Sequence, residues 1–261
     1  MLETNAVPTE EIKKKADWSW LIKIFIRPRQ TILKVVEADK AVWFPALLVL
    51  CVAAVILMAA NGVIKQKIGL DNPAQLPEYF QYYTLEQQEQ YRQALQATSG
   101  TEFIFILPAI AAVAKVWLGW LIVGSLVYLV LTAMGSAVKA GTALNLVAWA
   151  SMPFALRDLV RAVIVFSSGS LIQAQGLAGF TPAGTGNLNL FMNALLSLID
   201  IYWIWQVILV ILGARAAGKA STTKTVTGIT VTMLIILILQ ALIGFGAALL
   251  GSNVTAIQVF M

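Results

Sequence analysis

From Val42 to Val63 the chain carries no charged residue, and four more apolar runs follow at Phe103–Met134, Ala143–Phe166, Leu190–Leu212 and Ile229–Leu250. A helix needs about 20 apolar residues to cross a bilayer, and each run is long enough. In lipid the backbone polar groups must be satisfied within the segment, so such runs cross as helices and not as open strands. Composition points the same way. The 261 residues are 59% hydrophobic and 12% charged, with a mean hydropathy of +0.80, against about 45–50% apolar and about 25% charged in an ordinary soluble domain. The expected fold is an all-α integral membrane protein. It is a five-helix transmembrane bundle with an N-terminal amphipathic cytoplasmic segment. Residues 1–41 are read as the tail, 42–250 as the five-span domain and 251–261 as a short extracytoplasmic tail.

Loop charge sets the expected orientation. With five spans, the first tail and the loops after spans two and four share a side. That side carries twelve Lys/Arg, eight of them in the tail, whereas the other carries only Lys65, Lys67 and Arg92. The positive-inside rule then places the N-terminus in the cytoplasm and the C-terminus outside. The net charge of +5 follows from this asymmetry, and no nucleic-acid partner is expected, because the basic residues form no stripe on one domain.

The tail has a pattern of its own. Trp18, Trp20, Leu21, Ile24 and Phe25 alternate with Lys23, Arg27, Arg29 and Lys34. Pro28 starts a new helical turn, where its missing N–H costs nothing. Tryptophans and basic residues beside apolar ones suit a helix lying on anionic lipid at the cytoplasmic face. Packing of the segment beneath the bundle is the alternative. The run Lys13–Lys15 reads as a solvated anchor. Farther along, Thr84 followed three residues later by Gln87 spells a capping box for a short helix. In the fifth run, Gly244 and Ala248 suggest a small-residue packing face, and Gln240 an interhelical hydrogen bond.

Enzyme chemistry finds little to work with. The chain has no histidine and one cysteine, Cys51. The commonest general base and zinc ligand are therefore missing, and no cofactor or metal is expected. The apolar runs do hold ionisable residues. Arg157, Asp158 and Arg161 stand in the third, Asp200 in the fourth and Lys115 in the second. Arg157 lies roughly 21 Å into its run and Asp200 roughly 18 Å from the inner end of its own, at 1.5 Å per residue. A charge within the membrane costs about 2.5–3.5 kcal/mol on insertion scales, so pairing is expected. Asp158 and Arg161, three apart, can meet on one helix face. That leaves Arg157 for Asp200. Pro153 is expected to kink the third span. Lys115 either marks the outer interface or adds a charge to the cluster, making it a net +1 site for a lipid phosphate or other anion.

The segments "RPRQTILKVVEADKAVWFPALLVL", "AWASMPFALRDLV" and "IYWIWQVILVILGARAAGKASTTK", in this order and spacing, resemble bacterial members of the Yip-domain family, relatives of the Ypt/Rab-interacting membrane proteins. The likeness runs from about Trp18 to Leu250. It implies five spans, a cytoplasmic N-terminus, and a role in membrane organisation or traffic without enzymatic activity. The Asp-Leu-x-Gly-Pro motif of eukaryotic members is missing, so Rab binding is not carried over. The multi-pass class, read here as a bacterial inner-membrane protein, also leaves room for protein partners or a homo-oligomer.

Three function classes compete. A membrane-organising protein is favoured by the resemblance. A small transporter or lipid or anion carrier would use the charges of spans three and four. An intramembrane hydrolase would need Asp158 and Asp200 as a dyad, but an arginine within reach of each keeps them from sharing a proton.

Overall fold

The computed structural model describes residues 18–71, 82–98, 100–182, 184, 186–218 and 220–260. Lys13–Lys15 lie outside this set. The described residues are helical, with no strand among them. Helices α1 (Trp20–Ile26) and α2 (Pro28–Val36) precede α3 (Phe44–Asp71) and α4 (Leu85–Thr98). Next come α5 (Leu107–Ala133), α6 (Ala140–Ala150) and α7 (Met152–Ser168), then α8 (Asn187–Ser197), α9 (Ile201–Ala217) and α10 (Thr222–Phe260). A π-helical turn at Glu102–Ile106 leads directly into α5.

Three helical stretches are long and apolar enough to cross a membrane, namely Phe44–Lys67, Glu102–Ala133 and Thr222–Leu250. The bent pair α8–α9 makes a fourth if it is one span. The third and fourth apolar runs are thus not the continuous helices that their hydropathy suggested. The third divides into α6 and α7 at Ser151, with Pro153 in the first turn of α7. The fourth divides into α8 and α9, bent by 60°. Hydropathy sums over a window and does not register a break whose polar groups are satisfied locally. At Ser151 the hydroxyl donates to the Val147 carbonyl at 2.8 Å and accepts from Gln206 Nε2 at 2.8 Å.

Helices α3 and α7 run side by side in the same direction. At one end, Asn145 and Trp149 of α6 hold the stretch that leads into α3. Asn145 Oδ1 accepts from the Val42 N–H at 2.9 Å, and its Nδ2 donates to the Lys40 carbonyl at 2.8 Å. Trp149 Nε1 donates to the Val42 carbonyl at 2.9 Å. At the other end, Ala162 and Val165 pack on Leu57, Ala60 and Ile64. Helix α9 runs in the reverse sense, so that Gly213 near its end lies against Leu146 and Ile32. The main core gathers Ile24, Ile32, Leu47, Leu131, Leu146 and Trp149, all fully buried.

The expectation of packing beneath the bundle describes one face of the tail. Trp20, Ile24, Ile32 and Val35 are buried in the bundle core, with Trp20 edge-on to Trp149 at 5.7 Å. Trp20 therefore belongs to the core and not to a membrane-facing surface. Trp18, Lys23, Arg27, Arg29 and Lys34 are exposed. The capping box forms as read: Gln87 Oε1 accepts from the Thr84 N–H at 3.0 Å, and Thr84 Oγ1 from the Gln87 N–H at 3.3 Å. Gly244 approaches Ala194 of α8. Gln240 is exposed and makes no interhelical hydrogen bond among the described residues, because it faces away from the neighbouring helices.

The Asn145 hydrogen bonds lead to a test. Asn145→Ala leaves the Val42 N–H and the Lys40 carbonyl without partners in a buried site, and each such group costs about 1–3 kcal/mol. The variant should melt at lower temperature in detergent and expose the α2–α3 junction to protease. An unchanged melting temperature would show that the junction does not depend on this residue.

Candidate functional site

The charged residues of the third and fourth runs do converge: the expected Arg157–Asp200 pair is present, and the other contacts differ from those their spacing suggests. On α7, Arg157 and Arg161 are four apart and share a face. Asp158 follows Arg157 directly. Arg157 lies over the Phe154 ring, 4.5 Å from its centroid, which holds the guanidinium along the helix. From there Arg157 Nε reaches Asp158 Oδ1 at 3.0 Å. Arg157 Nη1 stands 3.6 Å from Asp200 Oδ2, and Arg161 Nη2 stands 3.4 Å from the same oxygen. The expected Asp158–Arg161 pair is not among the ion pairs of the described residues. Asp158 is taken by its neighbour, and Arg161 extends the other way, to Asp200 and to Gln175 Oε1 at 3.2 Å.

Asp200 has two roles. It is not inside a helix but stands before α9, with extended backbone angles. Its Oδ1 accepts from the Trp203 N–H at 2.8 Å, the bond of an aspartate N-cap. Its Oδ2 faces the two arginines. A carboxylate here also complements the positive end of the α9 dipole. The cap requires the helix to break, and the break leaves the carbonyls at the end of α8 without helical partners. The loop after α7 supplies one. The Leu177 N–H donates to the carbonyls of Leu196 at 2.9 Å and Ile199 at 3.1 Å. Gly176 makes this approach feasible. Its φ is +54°, and a Cβ there would stand 2.6–2.9 Å from three carbonyl oxygens.

The cluster is largely out of solvent, with the four charged side chains 11–24% exposed. Two guanidinium groups face two carboxylates, so its charge is balanced. Lys115 is not part of it. That lysine is exposed on α5, thirteen residues beyond Glu102 in one unbroken helical stretch, and makes no ion pair among the described residues. Among those residues no group of three or more His, Cys, Asp or Glu is placed to hold a metal. Sequence reading missed Gln175, Gly176 and Gln206. The available signal was at Asp200 itself, an N-cap residue inside an apolar run.

The double role of Asp200 can be separated experimentally. Asp200→Asn keeps the cap and removes the charge, whereas Asp200→Ala removes both. Stranding buried arginines costs about 3–5 kcal/mol in soluble proteins, and losing a cap about 1 kcal/mol. Both variants should unfold at lower temperature in detergent, Ala more than Asn. Arg161→Ala combined with Asp200→Asn should lose less than the sum of the single variants. Strict additivity would mean that these charges do not interact.

The Yip1 domain family model matches residues 22–245. No curated protein and no solved structure matches the chain significantly. The match takes in most of α1, all of α2 and both sides of the charge cluster, and the chain belongs to the Yip1-domain family of multi-pass membrane proteins.

Proposed function

We propose that this protein organises a membrane without catalysing a reaction, and that α1–α2 is the part that grips the cytoplasmic leaflet. One observation carries this reading. The α1–α2 pair is fixed to the bundle by one face, while the other presents apolar and basic side chains outward. Trp18, Ile22 and Ile26, spaced by four, are 56%, 67% and 70% exposed. Lys23, Arg27 and Lys34 line a cavity of about 410 Å³ beside them, together with Gln30 and Thr31. Apolar residues at this spacing enter the acyl boundary, and the basic ones meet anionic headgroups. Because α1–α2 is clamped by buried Ile24, Ile32 and Val35, a force exerted there on the leaflet is transmitted to the bundle. The absence of histidine and the lack of known enzymatic activity in the Yip1 family support a non-catalytic role.

A carrier is the second reading. The broken α8–α9 pair beside the arginines of α7 favours it, since discontinuous helices build the sites of many transporters. Charge balance weighs against it: each arginine and each aspartate of the cluster already faces an opposite charge. Packing between helices accounts for such pairs.

On a Cys51→Ser background, a nitroxide at position 22 should show a lipid-like environment in nanodiscs containing phosphatidylglycerol. Changing Lys23, Arg27 and Lys34 to Gln should make that contact weaker and less salt-sensitive. A fully aqueous signal at position 22 would remove the leaflet grip.

The orientation proposed for the cell membrane, with the N-terminus inside, predicts one-sided labelling. Gly179 accepts a side chain, since the nearest atom to an added Cβ is 3.9 Å away. A cysteine there should react only with reagents applied from outside. Labelling only from the cytoplasm would reverse the topology.

A further inference from the structure

A second cavity lies at the end of the bundle opposite α1–α2, between α3, α7 and the loop that follows α7. Its volume is about 180 Å³, and its polar lining is Asn61, Lys65, Arg161 and Gln175. Leu57, Leu171 and Ile172 form the apolar wall. No carboxylate lines it among the described residues. Arg161 already faces Asp200 on its other side, whereas Lys65 makes no ion pair among the described residues. The cavity therefore carries the positive charge that the cluster beside it lacks.

The donors are arranged for an anion. Arg161 Nη1 donates to Gln175 Oε1 at 3.2 Å, which leaves the Gln175 amide nitrogen as a donor without a partner among the described residues. Asn61 and Lys65 stand one turn apart on α3. With Phe44 at the near boundary, Lys65 is twenty-one residues along the helix, about 32 Å. The hydrocarbon core is about 30 Å thick. The ammonium group thus stands at the height of the far headgroups, with Leu57 two turns deeper at acyl level.

Size narrows the ligand further. Small-molecule sites usually occupy about 300–1,000 Å³. This cavity has room for roughly six water volumes, which suits one phosphate group. It also offers nothing to a choline or ethanolamine cation.

We propose that this cavity binds the phosphate of one anionic phospholipid from the leaflet opposite α1–α2. Lys65 is the counter-ion, and Arg161, Gln175 and Asn61 are donors. The glycerol end of the acyl chains rests on Leu57 and Ile172. This proposal does not rest on the leaflet grip of α1–α2.

The test is native mass spectrometry of the full-length protein, titrated in mild detergent with phosphatidylglycerol or phosphatidylcholine. The background carries Lys23→Gln, Arg27→Gln and Lys34→Gln, so that lipid held at α1–α2 does not contribute. Phosphatidylglycerol should still bind at one copy per chain, and phosphatidylcholine more weakly. Lys65→Gln, at an exposed position that should not affect folding, should weaken phosphatidylglycerol roughly tenfold, as expected for loss of a charged hydrogen-bond partner. Lys67→Gln removes the same charge outside the cavity and should change binding less than twofold. Equal losses from Lys65→Gln and Lys67→Gln would reduce the effect to diffuse surface charge and overturn the site. Competition by glycerol phosphate at the same concentration as the lipid would assign the cavity to a free anion and overturn the lipid.

Discussion

Two side chains of α6 hold the tail to the membrane domain. Between α2 and α3 the chain passes through a short non-helical stretch whose backbone groups have no ladder or helix to join. Buried groups of this kind need partners, and Asn145 and Trp149 provide three hydrogen bonds, all of 2.8–2.9 Å. The two residues are four apart on one helix and are both buried, so one face of α6 presents both to the tail. Trp149 then also receives Trp20 at 5.7 Å. The position of α1–α2, the start of α3 and the level at which α7 begins all follow from this contact.

The charge cluster depends on that register. Because α7 then runs alongside α3, Arg157 and Arg161 fall inside the span, one turn apart, between the Trp149 contact and the packing of Ala162 and Val165 on Leu57, Ala60 and Ile64. Arginines at that depth are costly unless paired, and Asp200 arrives from the antiparallel α9 at the matching height. The carboxylate can face them only because α9 begins there. Within a continuous helix it would have no N-terminal amide to accept. The 60° bend is thus the condition for one aspartate to serve as both cap and counter-ion. Gly176 and Leu177 close the opened end of α8, which explains why a glycine-bearing loop returns to the bundle instead of extending away from it.

Much of this was legible from residue patterns, and the failures share a cause. The all-α membrane class follows from run length, and the α4 capping box from Thr84 and Gln87. What failed required knowing which neighbour is nearest. Three-residue spacing permits an Asp158–Arg161 pair, but the Phe154 ring turns Arg157 toward Asp158 first. Trp20 and Trp18 look alike in sequence, yet only Trp20 falls opposite Trp149. Lys115, which could be read as an interface marker or as an extra cation of the cluster, stands apart from the cluster. The lysine that lines a cavity with Arg161 is Lys65, which ends a run and looked like an ordinary loop charge. Breaks inside apolar runs were the hardest to see. Pro153 gave partial notice of the first, and Asp200, as an N-cap residue, marked the second.

The distribution of compensated and uncompensated charge bears on function. Within the cluster each charged group faces an opposite one, and Phe154 and Gln175 hold the arginines in place. Such a centre resists the rearrangement that a transported ion would require, because moving one partner strands the others. At the ends the situation differs. Lys23, Arg27 and Lys34 at one end and Lys65 at the other line cavities that have no carboxylate among their described lining residues. A protein that pairs its interior charges and places cation-lined cavities at its two ends would, on these proposals, hold both leaflets. The rigid α3–α7 pair, joined along its length, would then fix the distance between the two lipid contacts.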